Sequence, residues 1–186
     1  MYLRRQFYCV GWDLGAQLIN ADIFLGSKAG VLYVRDGNYT WSTHLNDAVG
    51  LQLQPNRVVW FGCGVITCIG ADPSHNPYPG PMMALQDNTI IQGMGNSTIF
   101  DEPDSSVIFA TVTGAGVHLR DFTIQNIANT DPLTRGTSLP NIGFNNGSNC
   151  SVVNVLFKNT RSLAVSADGC ICRLTRARIM RARVRR

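Results

Sequence analysis

Two copies of one phrase constrain this chain more than anything else in it. The first contains Leu53-Gln54-Pro55-Asn56, then Val58-Val59, then Gly62-Cys63-Gly64-Val65-Ile66-Thr67. The second contains Leu85-Gln86-Asp87-Asn88, then Ile90-Ile91, then Gly93-Met94-Gly95-Asn96-Ser97-Thr98. Their Gly-x-Gly-x-x-Thr cores lie 31 residues apart. Recurrence at a period of about 20–50 residues marks a repeat architecture built from one supersecondary unit. Val, Ile and Thr dominate the units and Gly and Asn punctuate them, so the units are strands and turns.

The phrase then fades without vanishing. Val117-His118-Leu119-Arg120-Asp121-Phe122-Thr123-Ile124-Gln125-Asn126 aligns without gaps on Cys150-Ser151-Val152-Val153-Asn154-Val155-Leu156-Phe157-Lys158-Asn159. A last echo begins at Cys170-Ile171-Cys172, placing Cys170 on the position of Cys150, 20 residues on. Each unit reads as a short apolar strand, a polar bend, a second short strand and an Asn at a turn. One such unit has nothing to bury its apolar face against. Stacking units about 4.8 Å apart gives every strand a neighbour and makes a continuous core.

The chain has 186 residues, enough for one domain with a sizeable core. One Glu and two Lys against 18 Gly and 15 Asn is poor material for helices and good material for turns. Seven arginines and no acid fall in residues 173–186, so the overall +4 less 7 leaves a net −3 on the rest. The basicity is local. An arginine-rich end reads as a frayed terminus or as a basic arm; with no aromatic residue interleaved, a nucleic-acid partner is disfavoured. Six cysteines are spread through the chain. Cys150 and Cys170 on equivalent positions fit either a disulfide from an oxidising compartment or buried free thiols. Cys63 and Cys68 lack a second pair at zinc spacing. No apolar run of about 18 residues occurs, so no membrane-spanning helix is expected, and Met1–Val10 carries no apolar stretch of a secretory signal.

Residues 14–26 carry apolar groups at helical spacing and end in Gly, which predicts an amphipathic helix over 14–26. Its expected task is to plug the open end of the stack. Val31-Leu32-Tyr33-Val34 follows as a buried strand and Asp36-Gly37 as a tight turn. Asp72–Pro81 holds four prolines and cannot enter a central ladder. A second insertion runs from Asn129 to Pro140. Insertions at one turn of successive units build the walls of a groove. From Arg173 onward the pattern is expected to be lost. The expected division is an extension over 1–13, a strand-repeat domain over 14–172 and an arginine-rich tail over 173–186.

The helix, then Gly30-Val31-Leu32-Tyr33-Val34-Arg35-Asp36-Gly37-Asn38-Tyr39, then Leu51-Gln52-Leu53, then Gly-x-Gly-x-x-Thr, together resemble the opening of the pectate-lyase-like superfamily. The resemblance covers roughly residues 14–172. It implies an all-β fold, a right-handed parallel β-helix (a solenoid) with an N-terminal amphipathic cap helix. It also implies a long groove that engages polysaccharide. The superfamily holds lyases, hydrolases, phage tailspikes and adhesins, and the fold does not choose among them.

Gly-x-Gly-x-x-Thr is not a dinucleotide fingerprint here: the third Gly is absent, no helix pattern follows, and the phrase occurs twice. Glycoside hydrolysis needs two carboxylates roughly 5–9.5 Å apart. Asp121 at a bend and Asp131 in the second insertion are the catalytic candidates. Asn129-Thr130-Asp131 resembles the Asn-Thr-Asp-Gly motif of polygalacturonases, with Pro132 in place of the Gly and none of their later motifs. Pectate lyases use acidic Ca2+ ligands, and Asp101, Glu102 and Asp104 offer hard oxygen ligands in one turn. The alternative reading is a solvated acidic turn. His118 and Arg120 alternate with Val117 and Leu119, so they point outward from one strand and are substrate-binding candidates. Tyr78, Trp41 and Trp60 are sugar-stacking candidates, with Trp60 expected in the core.

The expectation is therefore a carbohydrate-active domain, a polysaccharide lyase or glycoside hydrolase if active, needing no cofactor beyond Ca2+. The resembled enzymes have more coils than the five or six expected here, which implies a truncated and inactive member. The alternative is a non-catalytic structural or adhesion module that binds glycan. Expected partners are polysaccharide and further copies joined through the open C-terminal end, with no membrane. Expected localisation is extracellular or at the cell surface.

Overall fold

The helix predicted over 14–26 forms as α1 (Leu14–Leu25) in the computed structural model, which describes residues 13–42, 51–69, 81–102, 108–111, 114–127, 140–145, 147–160, 163–168 and 172–180. Asp13 caps it: Oδ1 accepts from the Ala16 amide at 3.0 Å, and Oδ2 accepts from the amide and hydroxyl of Ser42. Gly26 ends it at φ +59, its N–H returning to the carbonyls of Asp22 and Ile23. Leu14 and Leu18 are buried against the strands.

The strands come in successive rungs. The first rung is β1 (Gly30–Val34), β2 (Tyr39–Trp41) and β3 (Leu51–Gln52). The second is β4 (Arg57–Phe61), β5 (Gly64–Cys68) and β6 (Met83–Leu85). The third is β7 (Ile90–Gln92), a 3-10 turn over Gly95–Ser97, β8 (Thr98–Asp101) and β9 (Phe109–Thr111). From the fourth rung the first two strands fuse: β10 (His118–Gln125) then β11 (Pro140–Asn145), and β12 (Cys150–Lys158) then β13 (Leu163–Asp168). The sixth holds β14 (Cys172–Thr175) and β15 (Arg178–Met180).

Every strand pairing among the described residues is parallel. One ladder runs β1-β4-β7-β10-β12-β14, and a second runs β2-β5-β8-β10-β12-β15. The long strands β10 and β12 belong to both, so the two ladders form one curled sheet. A separate five-stranded sheet has the order β13-β11-β9-β6-β3. The described residues are thus mostly strand, in parallel sheets with one helix.

Two columns of left-handed residues turn the chain. Asn56, Asn88, Gly116 and Asn149 all have positive φ and all precede a strand of the first ladder by the same step. Asn tolerates this conformation, and here its side chain adds a rung-to-rung bond: Asn88 Nδ2 donates to Asn56 Oδ1 at 3.0 Å. The second column is Asp121, Asn154 and Arg176 at φ +62, +54 and +55, the bend between the two ladders. Here Asn154 Nδ2 donates to Asp121 Oδ1 at 2.9 Å.

Side chains that point between the sheets make the core. Phe100 lies at its centre, edge-on to Phe61, Phe109 and Phe122 at 5.0, 5.2 and 5.2 Å between ring centroids. Phe109 comes from the five-stranded sheet and the others from the curled one, so this cluster ties the two together.

The gapless alignment of 117–126 on 150–159 is the observed register, with His118 opposite Ser151 and Gln125 opposite Lys158. The first two phrases register differently. Val58 pairs with Ile90, but Gly64 pairs with Thr98 rather than Gly95. The 3-10 turn at Gly95–Ser97 takes up the difference, so the shared Thr of the motif is not structurally equivalent. The glycines answer different needs. Gly64 sits at φ +143 with a notional Cβ 1.8 Å from the Gly37 carbonyl oxygen of the preceding rung, whereas Gly93 lets the Asp121 carbonyl of the next rung approach.

Three further expectations need correction. Cys150 pairs in register with Cys172 and not Cys170, and Cys150 is a free thiol. The pattern is not lost at Arg173, since Leu174 and Ile179 stand opposite Val152 and Phe157. The strand at Val31–Val34 is not buried on both faces, because strict alternation leaves Val31 and Tyr33 59% and 60% exposed.

Candidate functional site

The outward positions of the first ladder form two parallel rows. One is Val31, Val58, Ile90, His118, Ser151 and Arg173; the other is Tyr33, Trp60, Gln92, Arg120, Val153 and Thr175. Inward residues alternate with them and are buried: Leu32, Val59, Ile91, Leu119 and Val152. Strand alternation thus delivers one side chain per rung to each row, at about 4.8 Å spacing.

The second row carries the chemistry. Tyr33 meets Trp60 edge-on, centroids 6.2 Å apart and planes at 88°. Trp60 is 38% exposed, so the expectation of a core Trp60 is overturned: Val59 and Phe61 take the inward positions on either side of it. Its indole Nε1 donates to Met94 Sδ at 3.3 Å, which fixes the ring. Arg120 Nε donates to Gln92 Oε1 at 3.0 Å, holding the guanidinium along the row. In the first row, His118 Nδ1 lies 2.8 Å from Ser151 Oγ of the next rung. The face therefore offers two aromatic rings, an amide and a guanidinium in line, and among the described residues no acid occupies either row.

The other sequence candidates lie elsewhere. Asp121 sits at the bend beside Arg120, with Oδ1 held by Asn154. Asp101 ends β8 and its Oδ1 accepts from the Ile127 amide at 2.8 Å. Glu102 is fully buried, its main chain bonded to the Gln125 carbonyl and the Asn126 side chain. Among the described residues no three His, Cys, Asp or Glu side chains gather to hold a metal. Tyr78, Asp104 and Asp131 lie outside the described residues. In chain order they fall on the connections into β6, β9 and β11, three successive strands of the five-stranded sheet. Both predicted insertions therefore occur at the same point of the repeat. Trp41 is fully buried.

Tyr33 and Gln92 were not singled out by sequence. The signal was present in the alternation of Leu32 and Val34 around Tyr33, and was hidden by an unbroken apolar run.

Behind the site, Cys68 is fully buried opposite the β8 end. Burial, and after it the negative charges of Asp101 and Glu102, push its thiol far above the ordinary value of 9.0. Below that value the thiol is neutral folded and unfolded. Above it the unfolded chain releases a proton that the folded chain retains, so this group makes stability fall as pH rises past about 9. Alkylation at neutral pH is expected at half-exposed Cys63 and not at Cys68 until the chain unfolds, read by peptide mass spectrometry. Equal labelling of both would contradict the burial.

No family model matches the chain, and no curated protein matches it. Among solved structures it is similar to one described as a "putative glycosyl hydrolase" from Parabacteroides merdae ATCC 43184, at 12% identity and a TM-score of 0.47, over 88% of this chain and 89% of that one.

Proposed function

We propose that the chain is a right-handed parallel β-helix domain that binds polysaccharide along the outer face of its first ladder. For the fold, support comes from parallel ladders that advance one rung per repeat, since parallel strand crossovers are right-handed in about 98% of cases. For the function, one observation carries the reading: Tyr33, Trp60, Gln92 and Arg120 stand in register on four successive rungs, spanning roughly 14 Å. Sugar rings present apolar CH faces and hydroxyl edges. Perpendicular aromatic rings pack the first, and an amide with a guanidinium bonds the second. Such a face suits a protein that meets polysaccharide outside the cell or at its surface.

Hydrolysis requires a carboxylate pair and neither row supplies one among the described residues, so the face is read as a binding surface. Trp60→Ala is expected to weaken binding to a panel of polysaccharides about 10-fold, and Arg120→Ala by a similar factor, measured by affinity electrophoresis. Unchanged affinity in Trp60→Ala would overturn the reading. Reducing-end and unsaturated-product release, with and without Ca2+, is expected to be nil. Release abolished by Asp131→Asn or Asp121→Asn would instead make the chain a hydrolase or lyase and name its carboxylate.

A further inference from the structure

The bend between the two ladders changes shape along the stack. Between Gln92 and Ile99 the third rung uses six residues where β10 uses two to cover the same step. The excess projects as a ridge that carries Met94 and Asn96, both exposed. Beyond it the bend is reduced to single left-handed residues, Asp121, Asn154 and Arg176. A cleft of about 670 Å³ opens at this step, with Asn96 on the ridge, Asn154, Val155 and Leu156 on the fifth rung and Arg176 and Arg178 on the sixth.

Two features of the cleft point the same way. Arg176 occupies a conformation that costs an unbranched cationic residue more than Asn, at a position where the neighbouring rungs use Asp and Asn. Its charge, and that of Arg178, meets no carboxylate among the described residues, where the sole ion pair is Arg57 with Asp22. The one acid of the column, Asp121, is already engaged by Asn154. Two guanidiniums and the Asn96 amide thus line one cleft, with Val155 and Leu156 between them. Guanidinium forks match the paired oxygens of oxyanions, and an amide adds a further donor.

We propose that this cleft binds an oxyanion carried on a glycan, a carboxylate or a sulfate ester. It rests on the binding face described above and deepens it, because Arg120 of that face immediately precedes Asp121 of the bend. The polysaccharide it selects is anionic, and the cleft is where the selection is made.

The test compares a neutral glycan, a polyuronate and a sulfated glycan by affinity electrophoresis. Arg176→Asn together with Arg178→Asn is expected to weaken the charged glycans about 10-fold or more and leave the neutral one within about twofold. Arg176→Asn restores the residue type that the bend favours, so loss of folding does not confound it. Lys158→Gln removes one charge from the fifth rung, outside the cleft and off both rows of the face, and is expected to change little. Loss with only one charged glycan would assign the anion to carboxylate or to sulfate. An equal loss in Lys158→Gln and Arg176→Asn, or equal affinity for neutral and charged glycans, would overturn the proposal. Inorganic sulfate read by the arginine Nε–H signals separates the cleft from the wider reading. If no glycan binds, the face fails; saturable shifts at Arg176 and Arg178 but not Arg173 would still uphold the oxyanion site, and their absence would sink it.

Discussion

Phe100→Ala lowers the stability of this chain by about 3–5 kcal/mol, the cost of emptying a fully packed aromatic position. The expectation follows from where the ring sits. Phe100 has no exposed surface and meets Phe61, Phe109 and Phe122 edge-on, each centroid within 5.0 to 5.2 Å. Truncation removes the hydrophobic transfer term and three edge contacts worth about 0.5–1.5 kcal/mol each. β8 is held by hydrogen bonds to β5 on one side and β10 on the other, so the backbone cannot close the hole. The melting temperature should fall by about 10 °C for a chain of this size. Phe100→Leu, which keeps most of the volume, should cost less than half as much. A loss under about 1 kcal/mol for the alanine variant would show that the rungs slide to fill the space, and that the stack is softer than its register implies.

The sequence carried the period of this fold better than its phase. The run from Val117 to Asn126 matches the run from Cys150 to Asn159 because neither contains an insertion at the bend; one left-handed residue, Asp121 or Asn154, makes the turn in each. The earlier phrases mislead because the bend is built from a different number of residues in each rung. Gly62-Cys63-Gly64 and the longer turn through Gly95–Ser97 both read as Gly-x-Gly, yet only the Asn and β-branched positions before them are equivalent. Local composition reports that a turn occurs, and hydrogen-bonded register with the next rung decides where it ends. α1 was legible from its Gly26 stop, a local signal, but the expected amphipathic face is only partly realised: Ile23 and Phe24 are exposed and Asp22 is buried.

The binding face was half legible. His118 and Arg120 were marked by polar residues alternating with Val117 and Leu119. Tyr33 and Trp60 obey the same alternation, but Val31 and Val58 beside them are apolar as well, and an apolar run looks buried on both sides. Nothing in composition separates a strand covered on both faces from one whose apolar outer face meets solvent. That distinction depends on what packs against the strand. The cleft at the bend was invisible for another reason. It joins Asn96, Asn154 and Arg176 across more than one rung, and no linear motif spans that distance.

The second large effect lies where the helix meets the stack. Arg57 is fully buried, its Nε donating to Asp22 Oδ1 at 2.5 Å and its two terminal nitrogens donating to the carbonyls of Lys28 and Gly26. Asp22 Oδ2 accepts from the Gln54 amide at 2.9 Å. One helix carboxylate therefore neutralises a buried cation and satisfies the chain entering the second rung, while that cation satisfies the carbonyls leaving the helix. Asp22→Ala strands the guanidinium without its counter-charge and should cost about 3–5 kcal/mol, comparable to emptying the Phe100 site. The consequence reaches past stability. Leu14 and Leu18 cover the open end of the core, so a loosened helix exposes it and should increase binding of a hydrophobic dye before the strands melt. Replacing both partners, Asp22→Leu with Arg57→Met, should recover much of the loss, because two apolar groups of similar volume leave no buried charge behind. If the double variant is no more stable than Asp22→Ala, then the pair contributes through its bonds to the Gly26 and Lys28 carbonyls rather than through mutual neutralisation, and the helix is held chiefly by the satisfaction of its own C-terminus.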